Sequence, residues 1–238
     1  MNVQGAVDNF AVSIAHCDNL SLVHRAVGHG GPGRRTTETS LNRGTIVLAV
    51  ATWQAFVQDV AIALQDATLA QLATVKGAPL LADAMKQWQT DFDAALEKFS
   101  TPGPDQTKAL LQRAGFNPRP SWTWTQRGGR GAGGTPVQVE PKHVDQVIKH
   151  WLRVRHDLAH GHATLTPVPV LTAVRDPKAS AQTKAAPGLR LPDAEACVKF
   201  FRSVVRTTAD AAAKHLGQPA PKWEKTPELA LGLHISAL

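Results

Sequence analysis

Residues 46–64 read IVLAVATWQAFVQDVAIAL and form the most regular apolar pattern in the chain. Apolar side chains recur here at alternating intervals of four and three residues, at Ile46, Val50, Trp53, Val57, Val60 and Leu64. This spacing places them on one face of an α-helix. No proline interrupts the pattern, and Gly77 and Pro79 follow it. The sequence therefore predicts a long helix from Glu38 to about Ala73 that packs one face into a core.

Further helices are predicted on both sides of this one, over residues 3–27, 80–99, 105–114, 142–159 and 192–216. Two stretches rich in proline or glycine, 115–141 and 164–191, predict long irregular loops, and no segment predicts a strand. The predicted fold is an all-α, antiparallel helical bundle with four to five main helices. It occupies residues 1–217 as one domain. A Pro-rich tail over 218–238 is expected to be loosely attached.

The composition favours an anionic partner. The chain carries a formal net charge of +7 and its pI is near 9.7, so nucleic acid is the leading candidate. Two cysteines, Cys17 and Cys197, are too few for a disulfide scaffold, which favours a reducing, cytoplasmic setting. We expect both residues to be buried thiols with a structural role. No signal peptide and no run of about 18 consecutive apolar residues is found, so no contact with a membrane is expected.

The predicted helix 142–159 ends in an unusual run, RHDLAHG, at residues 155–161. A helical wheel groups the apolar residues Val144, Val147, Ile148, Trp151, Val154 and Leu158 into one stripe. Arg155 falls inside that stripe, about 40° from Trp151. A guanidinium on a core-facing side is paired, lines a cleft, or extends its charged end back into water. Arg155 is therefore a candidate functional residue.

Histidines surround Arg155. Five of the ten histidines lie within twenty residues, at His143, His150, His156, His160 and His162. An arginine that holds a phosphate and a histidine that transfers protons suffice to cleave RNA, because the 2′-hydroxyl is an internal nucleophile. An ideal helix separates Arg155 and His160 by about 140°. Both serve one cleft only if the helix end unwinds or a second subunit completes the site.

The stretch 115–141 interleaves arginines with tryptophans and glycines. Its candidate RNA-binding residues are Arg119, Arg127, Arg130, Trp122 and Trp124. Single-stranded RNA is bound by aromatic rings that stack on bases and by arginines that contact phosphates. The alternative is an ordinary surface loop that its tryptophans attach to the bundle.

The RHDLAHG run resembles the R-polar-x-x-x-H signature of HEPN domains, and the most similar subgroup is that of the RiboL-PSP-HEPN-like proteins. The early helix LAVATWQAFVQDV, residues 48–60, is similar to a long helix of that subgroup. The Gly115–Pro120 stretch and the last helix come in the expected order. The chain has His156 where asparagine is frequent and Gln54 where an acidic residue is expected.

The resemblance implies a bundle of four or five helices that forms a homodimer with its two motifs facing a shared groove. It also implies a metal-independent endoribonuclease of a toxin–antitoxin, abortive-infection or antiphage system, with no cofactor and with RNA and an antitoxin as further partners. Arg155 would hold the scissile phosphate, His160 would act as general base or acid, and His156 would orient or assist. Cleavage would leave a 2′,3′-cyclic phosphate.

Two other interpretations remain open from the sequence. His156-Asp157-x-x-His160 is a variant of the zinc motif HExxH, with His162 as a candidate third ligand of a metal-dependent hydrolase. The chain is alternatively a non-catalytic helical module that dimerises or binds RNA. A chelator distinguishes the metal-dependent hydrolase from a HEPN-type nuclease, which should keep its activity. Replacement of His160 by alanine distinguishes the non-catalytic module, whose binding should not change, from the nuclease.

Overall fold

The structure is a computed structural model that describes residues 1–27, 36–73, 79–127, 136–162, 164–171, 189–235 and 238. These residues form an all-α helical bundle, which confirms the predicted fold class. The helices are α1 (Val3–Val27), α2 (Thr36–Leu72), α3 (Pro79–Glu97), α4 (Pro104–Arg113), α5 (Pro141–Ala159) and α6 (Leu191–His215). Each helix begins and ends within about two residues of its predicted bounds, because glycine or proline marks most of these ends.

Helix α2 lies at the centre of the bundle and contacts α1, α4, α5 and α6. Its predicted apolar stripe is buried, and no member of the stripe is more than 2% exposed. Trp53, in the middle of the stripe, stacks on Phe201 of α6 with ring centroids 6.0 Å apart. Its indole N–H donates a hydrogen bond of 3.0 Å to the carbonyl of Pro102, just before α4. This side chain therefore attaches two other parts of the chain to α2.

Helix α2 is also long and apolar enough to cross a membrane, by length and composition alone. An 18-residue window within Glu38–Leu72 has a mean hydropathy of 1.6, and α2 is the one helix of this kind in the described part of the chain. Within the bundle, 56% of that window is buried. A buried core helix meets the same criterion, so α2 does not establish a membrane span.

The sequence predicted that the stretch 115–141 is irregular throughout, but part of it is regular. It contains the short 3-10 turn Arg119–Ser121 and two strands, β1 (Trp124–Arg127) and β2 (Pro136–Val139), which pair antiparallel. The prediction that the chain lacks strands was wrong. Four residues are too few to show the alternation of a strand among so many prolines and glycines.

Of the second predicted loop, 164–191, residues 172–188 lie outside the described part of the chain. Residues 164–171, which we call the return segment, pack against the bundle after α5. Within this segment Val170 and Leu171 have no exposed surface. The return segment therefore covers part of the bundle and makes contacts that stabilise its position.

The described part of the C-terminal segment, residues 218–235 and 238, is not loosely attached, so this prediction was wrong. Leu231 has no exposed surface. The buried hydroxyl of Ser203 on α6 accepts the N–H of Ala230 at 2.8 Å. Its own proton has two acceptors within reach, the carbonyl of Lys199 at 2.9 Å and that of Glu228 at 3.2 Å. Prolines exclude regular helix from this segment, but they do not prevent its leucines from packing or its other backbone groups from forming hydrogen bonds.

Polar contacts also attach the first half of the C-terminal segment. The Gln4 side chain of α1 donates to the carbonyl of Lys222 at 3.0 Å and accepts the N–H of the same residue at 2.8 Å. Arg206 of α6 donates to the carbonyl of Pro227 at 2.7 Å. The segment is thus held by α1 and α6 together.

The two cysteines are buried and unpaired, Cys17 on α1 and Cys197 on α6. Burial raises the pKa of the Cys17 thiol to about 12, and it raises the pKa of Cys197 well above its usual value. Both thiols are therefore protonated at neutral pH and poorly reactive. Their burial agrees with the structural role that the sequence predicted.

Replacement of Ser203 by alanine should detach the C-terminal segment in part. The Ala230 N–H would lose its acceptor, so the free energy of unfolding should fall by about 1–3 kcal/mol. Urea denaturation of Ser203→Ala beside the wild type measures the change. The control is Ser100→Ala at an exposed position, which should change stability by less than about 0.5 kcal/mol. Equal effects of the two substitutions would contradict the proposed attachment.

Candidate functional site

The RHDLAHG run forms the last turn of α5 and the turn that follows it. The helix ends at Ala159, and Gly161 has a positive φ of 68°. The N–H of Gly161 donates to the Leu158 carbonyl at 3.2 Å, and the N–H of His162 donates to the Asp157 carbonyl at 3.0 Å. These two bonds define a Schellman motif, which turns the chain back along the helix. The helix therefore ends at its predicted residue, 159, and the turn at Gly161 places His162 beside Asp157.

Three imidazoles meet at this end of α5. The rings of His156 and His160 have centroids 4.3 Å apart, because the two residues are one helical turn apart. The ring of His162 lies 6.4 Å from that of His156 and 6.2 Å from that of His160. All three residues are exposed. We call this group the histidine cluster.

Arg155 does not lie in the core, although the helical wheel placed it in the apolar stripe. Its neighbours Trp151 and Val154 are buried, whereas Arg155 is exposed and Leu158 is only partly buried. A helical wheel predicts the direction of a side chain. It does not show where the end of a helix extends beyond its neighbours, and there even a side chain of the apolar face is exposed. No described residue forms an ion pair or a hydrogen bond with the Arg155 guanidinium, and none is found between it and the histidine cluster. It is therefore open to an anionic ligand.

Asp157 is the buried polar group of the run. Arg153 and Asp157 are four residues apart on α5, a spacing that predicts a solvated ion pair on the helix surface. The structure does bring Arg153 Nε to 3.5 Å from Asp157 Oδ1. The Asp157 side chain is 0% exposed, however, so only the Arg153 partner, at 53% exposure, is in contact with solvent. Its Oδ2 accepts the backbone N–H of Thr166 at 2.7 Å. The return segment thus covers the carboxylate and supplies a hydrogen-bond donor to it.

The charged form of Asp157 is favoured despite its burial. Desolvation raises the pKa of this carboxyl, but the Thr166 N–H and hydroxyl, Arg153 and His162 together outweigh desolvation and hold the pKa below its usual value. A buried carboxylate of this kind contributes to stability only while it is ionised. It therefore fixes the return segment to α5 at neutral pH.

The predicted RNA-binding residues of the stretch 115–141 are mostly engaged in the fold. Trp122 is 0% exposed and donates its indole N–H to Thr208 of α6 at 2.9 Å, and Trp124 is 5% exposed. A buried ring cannot stack on a base, so the assignment of these two residues to RNA binding was wrong. They attach the stretch to the bundle, which was the alternative interpretation.

The structure describes only one of the three arginine side chains that the sequence predicted to bind RNA in this stretch. Arg119 forms ion pairs with Asp105 at 2.7 Å and Asp145 at 2.8 Å, so its guanidinium joins α4 to α5 and is not free to bind phosphate. Its assignment as a phosphate ligand was therefore wrong in this conformation. Arg130 and the side chain of Arg127 lie outside the described residues.

A metal site is not evident around the zinc-like spacing of His156 and His160. Among the residues that the structure describes, no three His, Cys, Asp or Glu side chains are grouped so as to hold a metal ion. Asp157 points into the fold and is engaged by Thr166, so it does not act as the acid–base group that the HExxH motif requires of its second residue.

The structure forms a groove that the sequence did not indicate. It has a volume of about 420 Å³ and is lined by Lys142, His143, Asp145, Gln146, Lys149, Ile235 and Leu238. It exists because the C-terminal segment returns to the first turns of α5. Lys149 precedes His156 by seven residues, or roughly 10 Å of helix, so the groove is separate from the histidine cluster.

Sequence reasoning undervalued His162, which it treated only as a candidate third zinc ligand. Asp157 was likewise assigned to a surface pair. The signal was present in the glycine at the helix end, because a Schellman motif brings the second residue after the C-cap back to the residue five positions earlier. Here these residues are His162 and Asp157.

Comparison with known proteins found no match for this chain among protein-family models, curated proteins or solved structures. The likeness of the RHDLAHG run to HEPN domains thus stays a resemblance of one short motif. The functional conclusion depends on the geometry at the end of α5.

Replacement of Gly161 by alanine should destabilise the turn. A left-handed conformation costs a residue with a Cβ about 1–2 kcal/mol, and the free energy of unfolding should fall by that amount. No atom lies within 4 Å of the position of the new Cβ, so the cost is conformational and not steric. The matched control is Gly44→Ala inside α2, which should raise stability by about 0.5–1 kcal/mol. Thermal or urea denaturation measures both, and effects of the same sign would refute this explanation.

Replacement of Asp157 by asparagine should remove a pH-dependent contribution to stability. At pH 7 the free energy of unfolding should fall by about 1 kcal/mol, because hydrogen bonds to an ionised group are stronger than those to a neutral one. Since the folded pKa is lowered, the contribution is present above the ordinary value of 3.8 and is lost as the pH falls through the folded pKa. Denaturation of both proteins at pH 7 and pH 3 measures it. Asp93→Asn, at an exposed position of α3, is the control. A difference between wild type and Asp157→Asn that is the same at both pH values would contradict this prediction.

Proposed function

We propose that this chain is a metal-independent endoribonuclease of HEPN type that cleaves RNA through attack by the 2′-hydroxyl. The observation that supports this most directly is the exposed histidine cluster at the end of α5, together with Arg155 near the same helix end, which no described residue engages. The resemblance of the RHDLAHG run to the HEPN signature supports the same conclusion.

The reaction needs one group that stabilises the phosphate and two proton transfers. The guanidinium of Arg155 binds the non-bridging phosphate oxygens and stabilises the negative charge that develops on them. His160 performs one of the two proton transfers, and His156, with its ring 4.3 Å away, orients or assists. A bond forms between O2′ and phosphorus while the bond from phosphorus to O5′ breaks. The products are a 2′,3′-cyclic phosphate and a 5′-hydroxyl.

The charge of the chain is consistent with an RNA substrate. The formal net charge is +7, and Arg153 and Arg155 both lie at the site with exposed surface. A basic protein attracts a polyanion over long distances and binds it more weakly as salt is added. Because Trp122 and Trp124 are buried, binding in this proposal depends on phosphate contacts and not on stacking by these rings.

A second copy of the chain is part of the proposal. Arg155 and His160 point about 140° apart around the axis of α5, so one helix presents them to different sides. A symmetric pair of α5 ends brings the arginine of one copy towards the histidine of the other. The proposed setting is the cytoplasm, with an antitoxin as a further partner and a role in toxin–antitoxin or antiphage defence.

RNA cleavage by the purified chain tests the proposal. Wild type should convert RNA into fragments with 2′,3′-cyclic phosphate ends, identified by mass spectrometry, and His160→Ala and Arg155→Ala should lower the rate by about 10²-fold or more. Expression of the wild type should slow cell growth, and neither variant should do so.

The controls are His16→Ala and Arg113→Ala, which remove exposed residues of the same types from α1 and α4. Both should cleave RNA at the wild-type rate. Cleavage should also persist in EDTA, and its loss there would favour a metal-dependent hydrolase. A wild type that binds RNA without cleaving it, with His160→Ala binding equally well, would instead identify a non-catalytic module.

A further inference from the structure

His162 is the member of the histidine cluster that the fold holds in place. Its Nδ1 lies 3.3 Å from Oδ1 of Asp157, and its backbone N–H donates to the Asp157 carbonyl at 3.0 Å. Main chain and side chain therefore both attach His162 to the same residue. No described residue forms a hydrogen bond with the imidazole of His156 or His160. Only His162 thus has a fixed partner within the described part of the chain.

The Asp157 carboxylate has one oxygen left for this contact. Oδ2 is engaged by the Thr166 N–H at 2.7 Å, whereas Oδ1 is buried and makes no hydrogen bond within the described residues. The groups that approach Oδ1 are Nδ1 of His162 and Nε of Arg153, the latter at 3.5 Å. Arg153 Nε also donates to the Thr166 hydroxyl at 3.1 Å. A buried acceptor without a donor is costly, so a small rotation of the exposed His162 ring to complete this bond is favourable.

We propose that Asp157 is a positioning residue that holds His162 with its proton on Nδ1, and that His162 is a further catalytic residue of the site. The proposal rests on the proposed endoribonuclease function. A carboxylate that accepts from one imidazole nitrogen leaves the other nitrogen with a free lone pair, and it stabilises the ring when that nitrogen gains a proton. Nε2 of His162 then faces the ligand, beside His160.

This arrangement supplies the second proton transfer. Nε2 of His162 accepts the proton of the 2′-hydroxyl as the bond from O2′ to phosphorus forms. His160 donates a proton to O5′ as the bond from phosphorus to O5′ breaks. One ring gains a proton and the other loses one, so charge is balanced over the step.

The turn at Gly161 explains why His162 follows the helix and is not part of it. The left-handed glycine brings residue 162 back over the last turn of α5, so its imidazole reaches a carboxylate that points into the fold. Among the described residues of α5, Arg153 also approaches this oxygen, at 3.5 Å. The site thus takes His160 and His162 from the two sides of the glycine.

Nitrogen-15 NMR of the full chain at pH 8 tests the contact without RNA. His162 should show a protonated Nδ1 and an unprotonated Nε2 in the wild type. In Asp157→Asn the ring should become a mixture in which the proton lies mainly on Nε2. Arg153→Ala is the control, because it removes the other neighbour of Oδ1 and should leave the His162 tautomer unchanged. A wild-type His162 with its proton on Nε2 would overturn the proposal.

Cleavage kinetics test the catalytic role. His162→Ala should lower kcat by about 10²-fold or more, and Asp157→Asn by about 10- to 100-fold with KM nearly unchanged. Circular dichroism at the assay temperature shows whether each variant is folded. If His162→Ala cleaves at the wild-type rate while His160→Ala is inactive, the catalytic role of His162 is refuted and the proposed function stands. If the wild type cleaves no RNA, the proposed function and the catalytic role fail together, and the tautomer measurement still decides the contact with Asp157.

Discussion

Burial of the Asp157 carboxylate is the constraint around which the end of α5 is organised. A charge without contact with water must have hydrogen-bond donors, and here they come from the segment that follows the helix. The chain can reach back to supply them only because Gly161 adopts a left-handed conformation. The same requirement that closes the return segment over the helix therefore also brings His162 to His156 and His160.

Much of the bundle could be predicted from the sequence because its rules are local. The apolar stripe of α2 has helical spacing over nineteen residues, and every member of it is buried. Glycine and proline at the helix ends act through the backbone of a few neighbouring residues, so the predicted bounds of the helices were correct to within about two residues. The place of the RHDLAHG run at the end of a helix followed from the same rules.

Other features depended on contacts between distant parts of the chain. Trp122 is buried against α6, where Thr208, 86 residues away, accepts its N–H, and nothing near Trp122 in sequence reveals this contact. Arg155 was misplaced because periodicity does not show where a helix extends beyond its neighbours. The link between Asp157 and Thr166 joins a helix to a segment that the sequence left as an irregular loop. Patterns in one element cannot predict such pairs.

The double hydrogen bond between Gln4 and the backbone of Lys222 spans 218 positions of sequence. During translation α1 is made before the C-terminal segment, so this contact must wait until the 218 later positions have been added. At ordinary elongation rates of about 5–20 residues per second, that delay is roughly 10–45 s. For that period the surface of α1 that receives the carboxyl-terminal segment remains uncovered in the nascent chain.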